Sequence, residues 1–475
     1  MRSLALLTDL YELTMVYGYW KAKMADRQAV FHLHFRKEPF QGGFAIAAGL
    51  ETAAKFIENL VFAKEDLAYL EQLHLFEAPF LDFLASFQFA CDVDAAPEGS
   101  LIFPYEPLIR VKGPIWQAQL LESALLNIIN FQTLIATKAA RISMAAYPDP
   151  VIEFGLRRAQ GVDGAISASR AAFIGGCESS SNVLAGKQFD IPVRGTHAHS
   201  WIMAFDDEKK AFETFAQIFP KNCIMLIDTY DTLKGAKKAV QVAQKMAKTF
   251  ELAGVRLDSG DLAYLSIEVR KILDAGGFSK AKIMASNELD EYLIRDLKQQ
   301  GAKIDLWGVG THLVTGKDQP ALDGIYKLSA IQDENGKWLH KLKLSEQMAK
   351  VTDPGILQVR RFFDGQFYTA DAIYDELIGM PGEGNIVSRR YPSEVLRVKG
   401  HFLDLLVPIF KKGKRVYSHL HLREIQKQTK KELSRLPSSM ERLVNPASYF
   451  VGLEQKLYEK KIELIRKCRE DVDSH

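Results

Sequence analysis

The chain has 475 residues with a formal net charge of +2, 25% charged and 47% hydrophobic residues, an ordinary globular composition and enough length for two domains with a sizeable core. So small an excess of positive charge excludes sequence-independent nucleic-acid binding, and no segment interleaves aromatic and basic residues in the manner of a binding module. The four cysteines, Cys91, Cys177, Cys223 and Cys468, form no CxxC pair, which speaks against a disulfide framework or thiolate metal site and suits a reducing compartment.

In chain order, Asp9 interrupts the N-terminus before any apolar run reaches the length of a secretory signal. No unbroken stretch of about 18 apolar residues follows, so a cytoplasmic protein without a membrane partner is expected. Helical spacing marks residues 10–21, 51–60 and 65–73, and a β-rich stretch around 95–111 is punctuated by Pro97, Pro104, Pro107 and Pro114. From about 150 to 315, short apolar runs alternate with amphipathic segments. Strands are expected at 151–156, 191–193, 223–227, 252–257, 282–285 and 305–309, with helices at 209–218, 234–250, 262–275 and 290–300. In the third helix, Leu262, Leu265, Val269 and Leu273 follow one another by three and four residues, a stripe to lay on a sheet. This alternation predicts an α/β fold with a parallel sheet. Residues 325–425 read as short strands and turns. The tail from about Leu422, with Lys427, Lys430, Lys431, Glu432, Glu459, Lys460 and Lys461, reads as a solvated helix. The expected division is 1–130, 131–325 and 326–475, the first and last parts packing together as one flanking mixed α+β domain because neither carries enough apolar pattern alone.

Each expected strand of the middle region runs into a polar cluster: Arg157-Arg158, GTHAHS at 195–200, DTYD at 228–231, DSGD at 258–261, SNE at 286–288 and GVGT at 308–311. In a parallel α/β barrel the loops after the strands share one face, where functional groups gather. Asp, Ser, Thr and Asn are also common helix caps, which accounts for any single cluster but poorly for six that include His and Arg. There is no GxxxxGK[ST] phosphate loop. The segment GVGTHL at 308–313 begins like a dinucleotide fingerprint but lacks its last glycine.

Six segments, LTDLYELTM at 7–15, EFGLRRAQG at 153–161, SSSNVLAG at 179–186, GTHAHS at 195–200, RLDSGD at 256–261 and GVGT at 308–311, are similar in order and spacing to the motifs of nicotinate phosphoribosyltransferases. The resemblance implies an irregular parallel α/β barrel with a flanking domain and a homodimer whose active site lies at the subunit interface. It further implies Mg2+, with ATP as co-substrate. The expected reaction joins nicotinate to phosphoribosyl pyrophosphate, giving nicotinate mononucleotide for NAD biosynthesis.

On that resemblance Phe154 and Tyr11, the latter from the other subunit, sandwich the pyridine ring. Arg157 and Arg256 are the cations for carboxylate or phosphate. Gly308, Gly310 and Thr311 present backbone N–H groups to the ribose 5′-phosphate. His199 takes the phosphoryl group of ATP, oriented by Asp228. His197, two residues away, is its competitor. Asp258 contacts the ribose hydroxyls or metal-bound pyrophosphate, while Asp261 could equally cap the next helix. Thr196 and Ser200 join the substrate-binding set. Asn182 stands where nicotinamide-specific relatives carry an aspartate, and its neutrality would tolerate a nicotinate carboxylate. The alternatives are a nicotinamide- or quinolinate-using relative, and a barrel that binds a phosphorylated metabolite without catalysis.

Overall fold

The alternating middle of the chain builds a six-stranded sheet in the order Ser179–Ser180, Val151–Glu153, Leu306–Val309, Lys282–Ala285, Leu252–Leu257, Cys223–Leu226. Every neighbouring pair in it is parallel. Val255, Leu257, Ile283, Met284, Trp307 and Val309 are all buried, as strands covered on both faces must be. Helices Thr232–Lys245, Leu262–Ala275 and Glu291–Gln299 follow successive strands. Leu262, Val269 and Leu273 are buried and Leu265 half-buried, so the stripe faces inward. Asp231, Asp261 and Asp290 cap these helices, each side chain accepting from backbone N–H groups of the first turn.

The computed structural model describes residues 4–248, 250–347 and 350–473. It divides into two compact units, Ile135–Pro320 on one hand and Met1–Leu134 with Ala321–His475 on the other. Of the irregular parallel barrel expected, the first of these units forms a curled half-barrel sheet whose ladder ends at Ser179–Ser180 on one side and at Cys223–Leu226 on the other. The strand expected at 191–193 shrinks to a single bridge between Val193 and Ser180. Pro192 has no N–H to donate to a ladder, and only its carbonyl is used, by Ser180 N–H at 3.0 Å.

The flanking unit interleaves both ends of the chain. Its seven-stranded sheet runs Trp338–His340, Ile325–Gln332, Gln28–His34, Ile109–Pro114, Asp92–Ala95, Val407–Lys411, Lys414–Arg415, so C-terminal strands pair with N-terminal ones on both sides. A second sheet of six strands lies wholly in the C-terminal part. The tail is only partly the solvated helix expected of it. Between helices Leu422–Leu433 and Gln455–Asp473 lies the strand Phe450–Glu454, inside the second sheet. Lys461 is buried, 2.6 Å from the Asp353 carboxylate. Among the described residues no helix is long and apolar enough to cross a membrane.

Candidate active site

Parallel register brings the strand ends level. Leu226 lies opposite Arg256, and Arg256 opposite Met284, so the residues after these strands emerge side by side. His199 opens the short helix His199–Met203 beside them. Its Nδ1 is 3.2 Å from the Thr229 hydroxyl oxygen and its Nε2 is 3.7 Å from an Asp258 carboxylate oxygen, with the imidazole 39% exposed. With Thr229 accepting from Nδ1–H, the Nε2 lone pair is left open.

His197 is built differently. Its Nε2 accepts the Leu226 N–H at 3.1 Å, and its ring packs edge-on to Phe215 at 4.6 Å between centroids. Burial pushes its pKa down to about 4. It is a neutral imidazole whose lone pair is already used.

The expected pairing of Asp228 with His199 is replaced by another. One Asp228 oxygen accepts from Asp258 N–H at 2.8 Å and from the Ser259 hydroxyl at 2.7 Å. The carboxylate meets amide and hydroxyl donors where the ladder ends on the next strand, and these hold it away from the imidazole. Its other oxygen is buried without a hydrogen-bond partner. Asp258, so positioned, accepts from the Ser286 hydroxyl, lies 3.6 Å from Arg256 Nη2, and turns its other oxygen to His199.

Arg256 donates to the Thr196 hydroxyl and to the His197 carbonyl, while its Nε is buried without a partner. Burial lowers its basicity, Asp258 and Asp228 oppose this, and the like charge of Arg157 adds to it. Arg157 itself is exposed. The two like charges are near enough to oppose each other, an arrangement that a bound anion would relieve. Ser200 is exposed in the first turn beside His199.

Phe154 follows its strand directly, and its N–H reaches the Val309 carbonyl at 2.8 Å. A Cβ on Gly308 would come within 2.9 Å of the Phe154 ring and of the Met284 terminal carbon. The glycine therefore makes room for the ring as well as for any phosphate. Gly310 caps the four-residue helix Thr311–Val314. Among the described residues no group of three or more His, Cys, Asp or Glu is arranged to hold a metal alone. Asp258 and the unpartnered buried oxygen of Asp228 nevertheless suit Mg2+, which takes one or two carboxylates and fills its shell from water and substrate phosphates.

Three segments match one family: its N-terminal domain over residues 6–130, the nicotinate phosphoribosyltransferase family proper over 150–347, and its C-terminal domain over 358–461. The chain belongs to the nicotinate phosphoribosyltransferase family. Nicotinate phosphoribosyltransferase of Bacillus subtilis is 42% identical over 480 residues, spanning 99% of this chain and 97% of that protein. The crystal structure of human nicotinic acid phosphoribosyltransferase is similar at a TM-score of 0.84 and 30% identity, covering 97% of this chain and 100% of the human one. Nicotinate-nucleotide pyrophosphorylase from Pyrococcus furiosus gives 0.69 and 25%, over 91% and 96%.

In this member of the nicotinate phosphoribosyltransferase family, one expected site residue serves the scaffold. Asn182 is 2% exposed. Its oxygen accepts from Ala185 N–H at 3.2 Å, and its amide donates to Ser169 Oγ at 3.2 Å and the Ala165 carbonyl at 3.4 Å. Every polar atom of that side chain has an internal partner, because Asn182 opens the helix Val183–Phe189 and must cap it. Asp261 caps as well, accepting from Tyr264 N–H at 3.0 Å. Tyr11 belongs to the flanking unit, on helix Leu10–Lys21, and is 47% exposed. The sequence reading did not single out Thr229, Ser259 or Ser286, although all three sit in the polar clusters, nor Glu153, a buried carboxylate that accepts from Ser169, Ser180 and the Gly155 N–H. His312 also went unremarked; it is buried in the glycine loop, 2.8 Å from Glu288 and 2.9 Å from Lys317.

Proposed function

We propose that the chain transfers the phosphoribosyl group of phosphoribosyl pyrophosphate to nicotinate, releasing pyrophosphate and forming nicotinate mononucleotide for NAD biosynthesis, and that ATP drives the reaction through a phosphohistidine on His199. The observation that carries this reading is the gathering of His199, Asp258, Arg256 and Arg157 at one end of a parallel sheet in a chain of this family.

Displacement of pyrophosphate leaves positive charge on the sugar and negative charge on the leaving group, so the chain must fix a flat base, a ribose and several phosphates at once. Phe154 offers one face to the pyridine ring, and Tyr11 of a second copy of the chain offers the other. Arg157 and Arg256 take the carboxylate or phosphate charge. Backbone N–H groups from Gly308 to Thr311 meet the 5′-phosphate. Asp258 orients the ribose hydroxyls, and with Asp228 would hold Mg2+, which neutralises charge on the pyrophosphate oxygens when bound. In the coupled half-reaction Nε2 of His199 attacks the γ-phosphorus of ATP. The P–O bond to ADP breaks, its electrons leave with ADP, and Thr229 keeps the remaining ring proton on Nδ1. Water later cleaves the P–N bond, releasing phosphate and restoring the imidazole. The open Nε2 of His199, set against the occupied Nε2 of His197, supports this choice of nucleophile.

The burial of Asn182 withdraws the sequence-based ground for preferring the acid. The preference now rests on the paired guanidinium groups and on family membership. Pyrophosphate release with nicotinate, nicotinamide or quinolinate and phosphoribosyl pyrophosphate, each with and without ATP, tests the reading. Nicotinate is expected to be the substrate, with a faster reaction when ATP is present. No release with any of the three removes the proposed activity, and indifference to ATP removes the coupling.

A further inference from the structure

The flanking unit contains a cavity of about 490 Å3 that shares no residue with the site above, a size within the roughly 300–1,000 Å3 of small-molecule sites. Five cations line it, Arg36, Lys37, Arg389, Arg390 and Lys461, against two carboxylates, Glu38 and Glu394. Arg389 and Lys461 are committed to the fold. They lie 2.9 Å and 2.6 Å from the two oxygens of Asp353, and together they hold that buried carboxyl far below its usual range. The Arg389 guanidinium also lies over the Tyr105 ring, 4.5 Å from its centre.

The other three cations are not consumed in this way. Arg36 donates to the Lys350 carbonyl at 3.1 Å and has no carboxylate partner among the described residues. Lys37 is exposed and makes no ion pair among the described residues. Arg390 bonds Ser448 Oγ at 2.9 Å, with Glu38 no nearer than 3.6 Å. The same cavity has aromatic walls. Tyr391 is 54% exposed, and Tyr449 is fixed by stacking on Phe103 at 3.9 Å and by donating its hydroxyl proton to Asp371 at 2.9 Å. A bare phosphate would need the cations but not the rings, whereas a neutral aromatic would leave the cations unanswered. A ligand with both parts answers both walls.

We propose that this cavity is a second binding site, for a nucleoside phosphate whose base lies against the tyrosine wall and whose phosphates meet Arg36, Lys37 and Arg390. It shares no residue with the catalytic set and does not depend on the reaction proposed for it.

The test is photolabelling of the full chain with 8-azido-ATP, followed by peptide mapping. Label is expected on the peptide containing Tyr391, in wild type and in His199→Ala alike. Lys37→Glu combined with Arg390→Glu should reduce that label by roughly tenfold or more. Both side chains are exposed and leave the Arg389–Asp353–Lys461 cluster intact, which circular dichroism verifies. ATP should displace the label at lower concentration than inorganic tripolyphosphate does. Absence of label around Tyr391, label indifferent to the charge reversal, or displacement by tripolyphosphate as effective as by ATP would overturn the proposal.

Discussion

The Thr229 hydroxyl oxygen lies 3.2 Å from Nδ1 of His199, so the residue that fixes the imidazole is the neighbour of Asp228 and not Asp228 itself. A hydroxyl can accept from Nδ1–H without bringing a charge, and in that tautomer the lone pair lies on Nε2. Asp228 acts one step away, through the backbone N–H of Asp258.

Replacement of either partner should separate these roles. His199→Ala is expected to abolish ATP-stimulated turnover and the acid-labile, base-stable phosphoryl label while leaving a slow ATP-independent reaction. Thr229→Val keeps the branched shape but removes the acceptor, and should slow labelling by about tenfold, the equivalent of about 1.4 kcal/mol. If His197→Ala removes the label instead, the nucleophile is misassigned.

Asn182→Asp should damage stability rather than specificity. An aspartate keeps the capping oxygen but loses the amide donor to Ser169, whose hydroxyl is already given to Glu153. It would also place a second buried carboxylate around the same serines. A loss of about 2 kcal/mol or more in urea unfolding is expected, with the ratio of nicotinate to nicotinamide use unchanged. A selective gain for nicotinamide would return Asn182 to the substrate pocket.

Gly308→Ala tests the Phe154 platform. The new methyl would lie within 2.9 Å of the ring and of the Met284 terminal carbon. The thioether end can yield, but the ring must shift. KM for nicotinate should rise on the order of tenfold, a 1.4 kcal/mol loss of stacking, with a smaller effect on phosphoribosyl pyrophosphate. Equal effects on both substrates would point to a general collapse of the loop.

His197 contributes to the pH dependence of folding, as do His32 and His34, whose pKa values burial also lowers. The pKa of His197 is about 4 in the folded chain and about 6.5 when unfolded. Above 6.5 both states are neutral and the full stability is present. As pH falls from 6.5 toward 4, the unfolded chain takes a proton that the folded chain refuses. Stability should drop by up to about 3 kcal/mol over that window. Urea midpoints measured from pH 7 to pH 4 should fall less steeply for His197→Gln than for wild type, and parallel slopes would show that another group dominates.

The shared site is tested by mixing. If Tyr11 serves a second copy, heterodimers of Tyr11→Ala with His199→Ala contain one doubly damaged site and one intact site. Nicotinate mononucleotide formation should therefore recover to about that of one normal site. Activity no higher than the mean of the parents, with heterodimers confirmed, would keep Tyr11 out of the neighbouring subunit's site.

Some of this molecule can be read residue by residue from its sequence. The strands Leu252–Leu257 and Lys282–Ala285 and the helix Leu262–Ala275 fall where the pattern puts them, since both faces of the strands and one stripe of the helix are apolar. Helix Glu122–Ala146 shows no stripe because nearly every residue from 132 to 142 is buried, so amphipathicity cannot announce it. Phe450–Glu454 was hidden by the charged segments around it. At the site, the motif residues stand out singly, but their partners do not. Whether Asp228 meets His199 or the Asp258 amide depends on the register between strands, which no local pattern encodes. Asn182 likewise reads as a substrate contact from its motif and as a cap only once the helix behind it is seen.

The contact between His197 and Leu226 has a further consequence for the outermost strand. Cys223–Leu226 is a sheet edge, and backbone groups turned away from its single neighbour have no strand to meet. The imidazole takes the Leu226 N–H and so stands in for an absent seventh strand at its most apolar end. An unprotected edge is a template on which another chain can add by backbone pairing. A protonated His197 can no longer accept that N–H. The acid that weakens the fold would therefore also uncover a seam for aggregation, beginning at the strand that leads into the catalytic loop.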